Sequence, residues 1–204
     1  MEKQHSFQRR MIAAVALALG LMAFMAHHTA LGIEAADHDG FFLGGGSSNI
    51  ETSNGDIMTG SNVLGGARIG LLSIFYMELG YGSFGYRDTV DIAGVQKDVT
   101  TQAFGPFYGA GFSFQVRKMF LGARVTQSFN NRWTEEIKDT LTAVVDSRQA
   151  GRIDYDSYFA YTQFGTPNVG NVEIGIRRDM IRENTSIMKN SFGPYIMFNI
   201  LMGK

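Results

Sequence analysis

Asn62-Val-Leu-Gly-Gly-Ala-Arg68-Ile-Gly-Leu-Leu-Ser73-Ile-Phe-Tyr-Met-Glu78-Leu-Gly-Tyr-Gly-Ser-Phe84 holds two runs in which side chains alternate with a period of two. Val63, Gly65, Ala67, Ile69 and Leu71 share one face before Ser73, and Phe75, Met77, Leu79 and Tyr81 share one after it. The opposite parity carries Asn62, Arg68, Tyr76, Glu78 and most of the glycines. Alternation over two runs joined by almost nothing predicts an antiparallel hairpin. Arg68 and Glu78 are equidistant from Ser73, so a hairpin centred there sets them opposite each other. A bulky apolar face backed by a narrow, glycine-rich face with a matched ion pair suits a membrane barrel, lipid outside and a tight polar lumen within. A soluble up-and-down barrel or sandwich, which hides its apolar face and shows its charged one, is the alternative that the pattern also fits.

The same parity rule divides the rest into strand-like runs near residues 40–50, 101–114, 119–129, 153–164, 172–180 and 192–202, eight with the hairpin. In 101–114, Phe104, Pro106, Tyr108, Ala110, Phe112 and Phe114 oppose Ala103, Gly105, Gly109, Gly111 and Ser113. The connections after the second, fourth and sixth runs are short, and those at 51–61, 86–100, 130–152 and 181–189 are longer and polar. Strict long-short alternation with an even strand number fits short periplasmic turns and longer outer loops. A soluble barrel has no reason to place every long loop at one end. The predicted fold is all-β, an eight-stranded antiparallel up-and-down transmembrane β-barrel over 40–204.

An N-terminal signal peptide precedes it. Lys3, Arg9 and Arg10 form a basic start, and residues 11–25 (MIAAVALALGLMAFM) form an apolar run. At about 15 residues the run is short of the roughly 20 that an ordinary membrane-spanning helix needs. The signal peptide is placed at 1–32, with cleavage near Gly32 or, alternatively, at Ala35 or Ala36, leaving 33–39 as a short mature N-terminus.

Composition narrows the function. The 204 residues are 45% hydrophobic and 18% charged, with 25 Gly and only three Pro, which suits many closely approaching strands. A formal charge of −1 and the lack of a Lys/Arg tract give no case for nucleic acid. There is no Cys, which removes disulfides, thiolate chemistry and thioether lipid anchoring. The four His are His5, His27, His28 and His38, all at the N-terminus, so neither a Ser-His engine nor a His-ligated zinc is available to the barrel. The chain is therefore expected not to be an enzyme and to need no metal or cofactor.

In the eighth run, Phe192-Gly-Pro-Tyr195 repeats the Phe104-Gly-Pro-Phe107 strand beginning. With its strand count, loop alternation, Gly-aromatic strands such as GPFYGAGFSF and the terminal strand, residues 40–204 resemble the small eight-stranded outer-membrane barrels of the OmpA and OmpX kind. Such barrels usually end on an aromatic residue, whereas this chain's last aromatic is Phe198, ahead of Asn199-Ile-Leu-Met-Gly-Lys204. The resemblance implies an outer-membrane location reached through the periplasm, contact with outer-membrane lipids and lipopolysaccharide, and recognition by the barrel-insertion machinery. It also implies four outer loops serving envelope integrity or adhesion to a host or surface ligand. A narrow channel for small or apolar solutes is the alternative. A monomer is expected.

An eight-stranded lumen is only wide enough for side chains to fill, so charges within it must pair. Arg68, Glu78, Arg124, Glu173 and Arg177 are the expected lumen ion network, specifying the barrel interior and binding no ligand. Asp154 and Asp156 share a face of the sixth run, as a polar rim or cation site. In 130–152, Ile137, Leu141, Val144 and Val145 have helical spacing behind a Thr134 cap with Glu135 and Glu136 in its first turn. A short amphipathic helix over the barrel mouth and extended strands projecting past the membrane fit these residues equally. Either places Arg132, Lys138, Arg148 and Arg152 near anionic sugars and phosphates, and Trp133 at the outer interface.

Overall fold

The computed structural model describes residues 39–52, 57–71, 74–92, 94–116, 119–142, 145–166, 170–182 and 188–201. The signal peptide 1–32, its cleavage sites at Gly32, Ala35 or Ala36, all of 33–39 but Asp39, and the hairpin centre at Ser73 lie outside the described residues. Ten strands follow in order: β1 Gly40–Thr52, β2 Ile57–Gly70, β3 Phe75–Ile92, β4 Val95–Val116, β5 Met119–Ser128, β6 Arg132–Asp139, β7 Val145–Arg152, β8 Tyr155–Thr166, β9 Gly170–Ile181 and β10 Met188–Leu201.

Every pairing is antiparallel, and the ring β1-β2-β3-β4-β5-β8-β9-β10 closes on itself through β1 and β10. This is a closed eight-stranded barrel, as the alternation predicts. β6 and β7 extend it upward. β4 pairs with β5 along 107–116 and with β6 along 97–104, so β5 and β6 form one wall strand, interrupted where Asn130 takes a left-handed φ of 55°.

The opening hairpin has the register that symmetry about Ser73 demands, with Arg68 opposite Glu78 and Ala67 opposite Leu79. Large apolar side chains face outward, among them Leu43 at 63% exposed, Ile69 at 63%, Leu79 at 62% and Ile200 at 65%. Most described glycines face inward, where bulky neighbours need their space. A Cβ on Gly122 would lie 2.4 Å from the Tyr161 ring, and one on Gly111 would lie 2.4 Å from the Tyr76 hydroxyl. Two apolar clusters stack inside. One, nearer the short turns, contains Phe42, Leu64, Tyr76, Phe107, Phe159, Tyr161, Tyr195 and Met197. The other, towards the long connections, contains Ile50, Phe84, Tyr86, Ala103, Ile153 and Tyr155.

Three of the expected long loops are largely strand. β1 and β2 stay paired as far as Glu51 and Ile57, which takes in most of 51–61. β3 and β4 stay paired as far as Ile92 and Val95, which absorbs nearly all of 86–100. The described residues of 130–152 form the β6/β7 hairpin and no helix, so of the two arrangements open to them they adopt the extended one. Cross-strand neighbours explain the outcome: Ile137 lies opposite Val99, and Trp133 opposite Ala103. Leu141, the middle of the helical pattern, is 94% exposed in the turn and offers a helix nothing to pack against.

Filling the gap at Gly122 is the direct check on this packing. Gly122→Ala is expected to lower barrel stability by about 1–3 kcal/mol through overpacking against Tyr161. Gly151→Ala, whose Cβ would meet only the Trp133 ring at an ordinary 3.4 Å, is expected to stay within about 0.5 kcal/mol of the parent. Denaturant midpoints of the folded barrel compare the two.

Candidate functional site

The barrel interior collects charged side chains from four walls. Arg68 comes from β2, Glu78 from β3, Arg124 from β5 and Glu173 from β9, each on the inward parity of its strand and each buried. They form a closed ring of alternating sign: Arg68 to Glu78 at 3.1 Å, Glu78 to Arg124 at 3.3 Å, Arg124 to Glu173 at 2.6 Å and Glu173 back to Arg68 at 3.5 Å. Net charge in the ring is zero.

Neighbours supply part of the solvation that water would otherwise give, while Arg68 Nε, Glu78 Oε1 and Arg124 Nε accept or donate no hydrogen bond among the described residues. Tyr195 Oη donates to Glu173 Oε1 at 2.5 Å, and Gln163 Nε2 donates to Glu173 Oε2 at 3.3 Å. The Arg68 guanidinium stacks 4.2 Å from the Tyr76 ring centre, and that of Arg124 stands 3.9 Å from Phe159. Tyr76 and Tyr161 share a hydrogen bond of 2.7 Å between their hydroxyls, and Tyr161 Oη also donates to the Phe112 carbonyl at 3.2 Å.

Arg177 does not join this ring. It lies farther along β9 and donates from Nε to Asp179 Oδ1 at 2.7 Å. Asp179 also accepts from Ser157 Oγ and Ser191 Oγ, both at 2.5 Å, which makes a second polar layer. Asp179 is absent from the residues singled out in the sequence, yet its parity matches Glu173 and Arg177, and that signal would have found it. The tyrosines and Gln163 carry the same parity but no charge to mark them.

Asp154 and Asp156 turn away from the lumen, on the face opposite buried Tyr155 and Ser157. Asp154 Oδ1 accepts the Asn131 amide at 3.3 Å, and Asp156 pairs with Arg182 at 3.1 Å. The inward places are taken by Ile153, Tyr155 and Ser157, so the pair belongs to the outer wall.

The projecting sheet of β3, β4, β6 and β7 holds the loop residues. Arg132 and Arg152 are exposed on its outer face, directly opposite each other. Lys138 pairs with Glu136 at 2.7 Å, and Arg87 with Asp98 at 2.6 Å. Of Arg148 the backbone is described, opposite Glu136. Trp133 departs from its expected place at the outer interface: it packs inward against the cluster of Ile50, Tyr86 and Tyr155, because its parity matches that of Ile137 and not that of Arg132. At the β6 tip, Asp139 Oδ1 accepts the amides of Leu141 and Thr142, each at 2.9 Å, and Lys97 Nζ lies 3.2 Å from Oδ2. The Thr142 amide, followed by the Lys97 ammonium and the Leu141 amide, holds the Asp139 carboxyl down to about 2.

No protein-family model and no curated protein matches this chain. Among solved structures it is similar to Neisserial surface protein A, with a TM-score of 0.53 and 12% identity over 81% of this chain and 99% of that one. This is the fold of the small eight-stranded outer-membrane barrels. Ail, the attachment invasion locus protein of Yersinia pestis, scores 0.46 at 9% identity over 80% of this chain and 98% of its own. Ail in complex with the heparin analogue sucrose octasulfate scores 0.43 at 10% identity, over 81% and 97%.

Two outcomes are expected. Glu78→Ala strands Arg68 and Arg124 beside a missing carboxylate and should cost about 3–5 kcal/mol, whereas Glu135→Ala on the projecting sheet should cost about 1 kcal/mol or less. Equal losses in heat or denaturant unfolding would remove the ring from the account of stability. For Asp139 the folded-state value is depressed, so its contribution is present above about pH 4 and lost as the pH falls through about 2. Protection of the Leu141 and Thr142 amides, taken relative to their intrinsic exchange rates, should fall across that window, and Asp139→Asn should abolish that change.

Proposed function

We propose that this chain is an outer-membrane barrel with a closed, charge-filled lumen, which holds its connecting hairpins and loops outside the cell for envelope integrity or surface interaction. One observation carries the reading. The outer wall is apolar around the ring, with Phe41, Leu43, Ile69, Leu79, Phe198 and Ile200 each more than half exposed. The inner wall holds the paired charges. In water such a surface would far exceed the patches that monomeric proteins tolerate, while lipid makes it the stable side. The aromatic residues support the orientation. Tyr81 stacks on Phe104 at 5.5 Å and Tyr108 lies 5.7 Å from Phe129, a girdle below the polar projecting sheet.

The lumen supports closure. Tyrosine and phenylalanine rings fill the spaces opposite the inward glycines, and a hollow lined by Arg68, Gln163 and Asn199 at one end holds only about 10 Å³. A solute would have to break the charge ring to pass. The barrel is therefore read as an anchor and not as a conduit, and as non-catalytic, since its sequence holds no histidine beyond His38. Export through the periplasm and handling by the barrel-insertion machinery follow from the same reading.

Fractionation and electrical recording test it together. The chain should appear in the outer-membrane fraction as a band whose gel mobility changes on heating, and the purified protein should give no stable openings in a planar bilayer. Steady conductance would overturn the closed lumen and support the narrow channel. A soluble, heat-insensitive chain would overturn the membrane location.

A further inference from the structure

Arg132 and Arg152 form an unusual pair on the outer wall. They are register partners on β6 and β7, both exposed, and neither has an ion pair among the described residues. Like charges set directly across a β-ladder repel each other. The other cations whose side chains are described on this sheet are treated differently, Arg87 being matched to Asp98, Lys97 to Asp139 and Lys138 to Glu136. Arg132 also lies opposite Phe104, whose ring stacks on Tyr81, so the two guanidiniums stand at the upper edge of the aromatic belt.

Beside them the apolar wall is hollowed. A trough of about 740 Å³ runs from Phe129 and Pro106 past Tyr81 to Gly65, Ala67 and Leu43. Phe129 is three residues before Arg132, and Tyr81 is in ring contact with Phe104. Two unneutralised arginines above a contiguous apolar trough match a ligand that is anionic at one end and hydrocarbon at the other.

We propose that Arg132 and Arg152 clamp a phosphate of a phosphorylated membrane lipid, with one of its acyl chains lying in the trough below. This rests on the outer-membrane reading above and names the lipid chemistry that the outer wall takes. A phosphate between the guanidiniums can accept a bidentate hydrogen bond from each, which turns their mutual repulsion into shared attraction. Free phosphate satisfies the clamp alone, whereas the trough adds apolar contact only for a lipid.

The test uses the full chain, folded in detergent micelles and titrated with bisphosphorylated lipid A, dephosphorylated lipid A or inorganic pyrophosphate. Bisphosphorylated lipid A should bind wild type at least about tenfold more tightly than Arg132→Gln/Arg152→Gln, since charge-assisted hydrogen bonds are lost. Arg87→Gln, which removes a cation already matched to Asp98, should bind as wild type does. Without lipid the double variant should unfold no earlier than wild type, because its like-charge contact is gone; with lipid A the order should reverse. Wild type alone should prefer bisphosphorylated to dephosphorylated lipid A by a similar factor, a comparison that needs no variant to fold.

Equal binding by wild type and the double variant, or equal binding of the two lipids by wild type, would overturn the clamp. Pyrophosphate binding as tightly as lipid A would overturn the assignment to a lipid. A chain found in the outer-membrane fraction that fails these titrations loses the clamp alone, whereas a chain absent from that fraction loses the reading on which the clamp stands.

Discussion

A guanidinium taken out of water must be met by fixed charge and fixed donors, and the barrel interior obeys that constraint at Arg124, which is 2% exposed. Its carboxylates come from β3 and β9, and Arg68 on β2 touches the same two. The ring therefore joins four of the walls across the lumen, and it exists only if the sheet closes in one register. Because side chains alternate with a period of two, a slip of one residue in β2 against β3 would carry Arg68 to the outer face and Ile69 inward. That would leave Glu78 and Glu173 buried beside a single arginine. Such a loss exceeds what ordinary cross-strand contacts could restore.

Closure also depends on unequal side chains. Eight strands leave an interior just wide enough for side chains to fill, and the chain answers by setting rings against glycines. Tyr76 occupies the space over Gly111, Tyr161 that over Gly122, and Phe107 that over Gly80. The rings that fill the gaps also face the guanidiniums, so apolar packing and charge solvation are one arrangement. Loops carried by such a body inherit its rigidity. β6 and β7 continue the wall by main-chain hydrogen bonding, so the projecting sheet is held by the same ladder as the barrel.

The fold was largely legible because a two-sided sheet writes its faces into alternate positions. The hairpin about Ser73, the inward set on β4 and the pairing of Arg68 with Glu78 all follow from parity. Parity failed where it was not carried through. Asp179 shares the inward face of Arg177 but stands at the end of the expected strand, where alternation is weakest as a signal. Trp133 was placed by its type, as an interfacial aromatic, although its position on β6 sends it to the inner cluster. The polar run 86–100 looked like a loop since composition marks solvent exposure, and a strand that rises above a membrane is solvent-exposed on one side too. Which inward charges meet depends on barrel shear, and one sequence does not specify it: Arg124 and Glu173 are on strands that are not neighbours.

The same residue type behaves differently on the two faces because the solvent differs. Inside, arginine is held in neutral groups with hydroxyl and amide donors directed at its carboxylates, as at Glu173 and Asp179. On the projecting sheet it is matched loosely and in water, as Arg87 is with Asp98, and such a pair contributes little. Arg132 and Arg152 follow neither pattern. The proposed clamp gives that pair an anion from outside, which a lipid leaflet supplies at high local concentration. In the proposed clamp, the charge of the surrounding lipid does for the two outward arginines what Glu173 and Asp179 do for the inward ones.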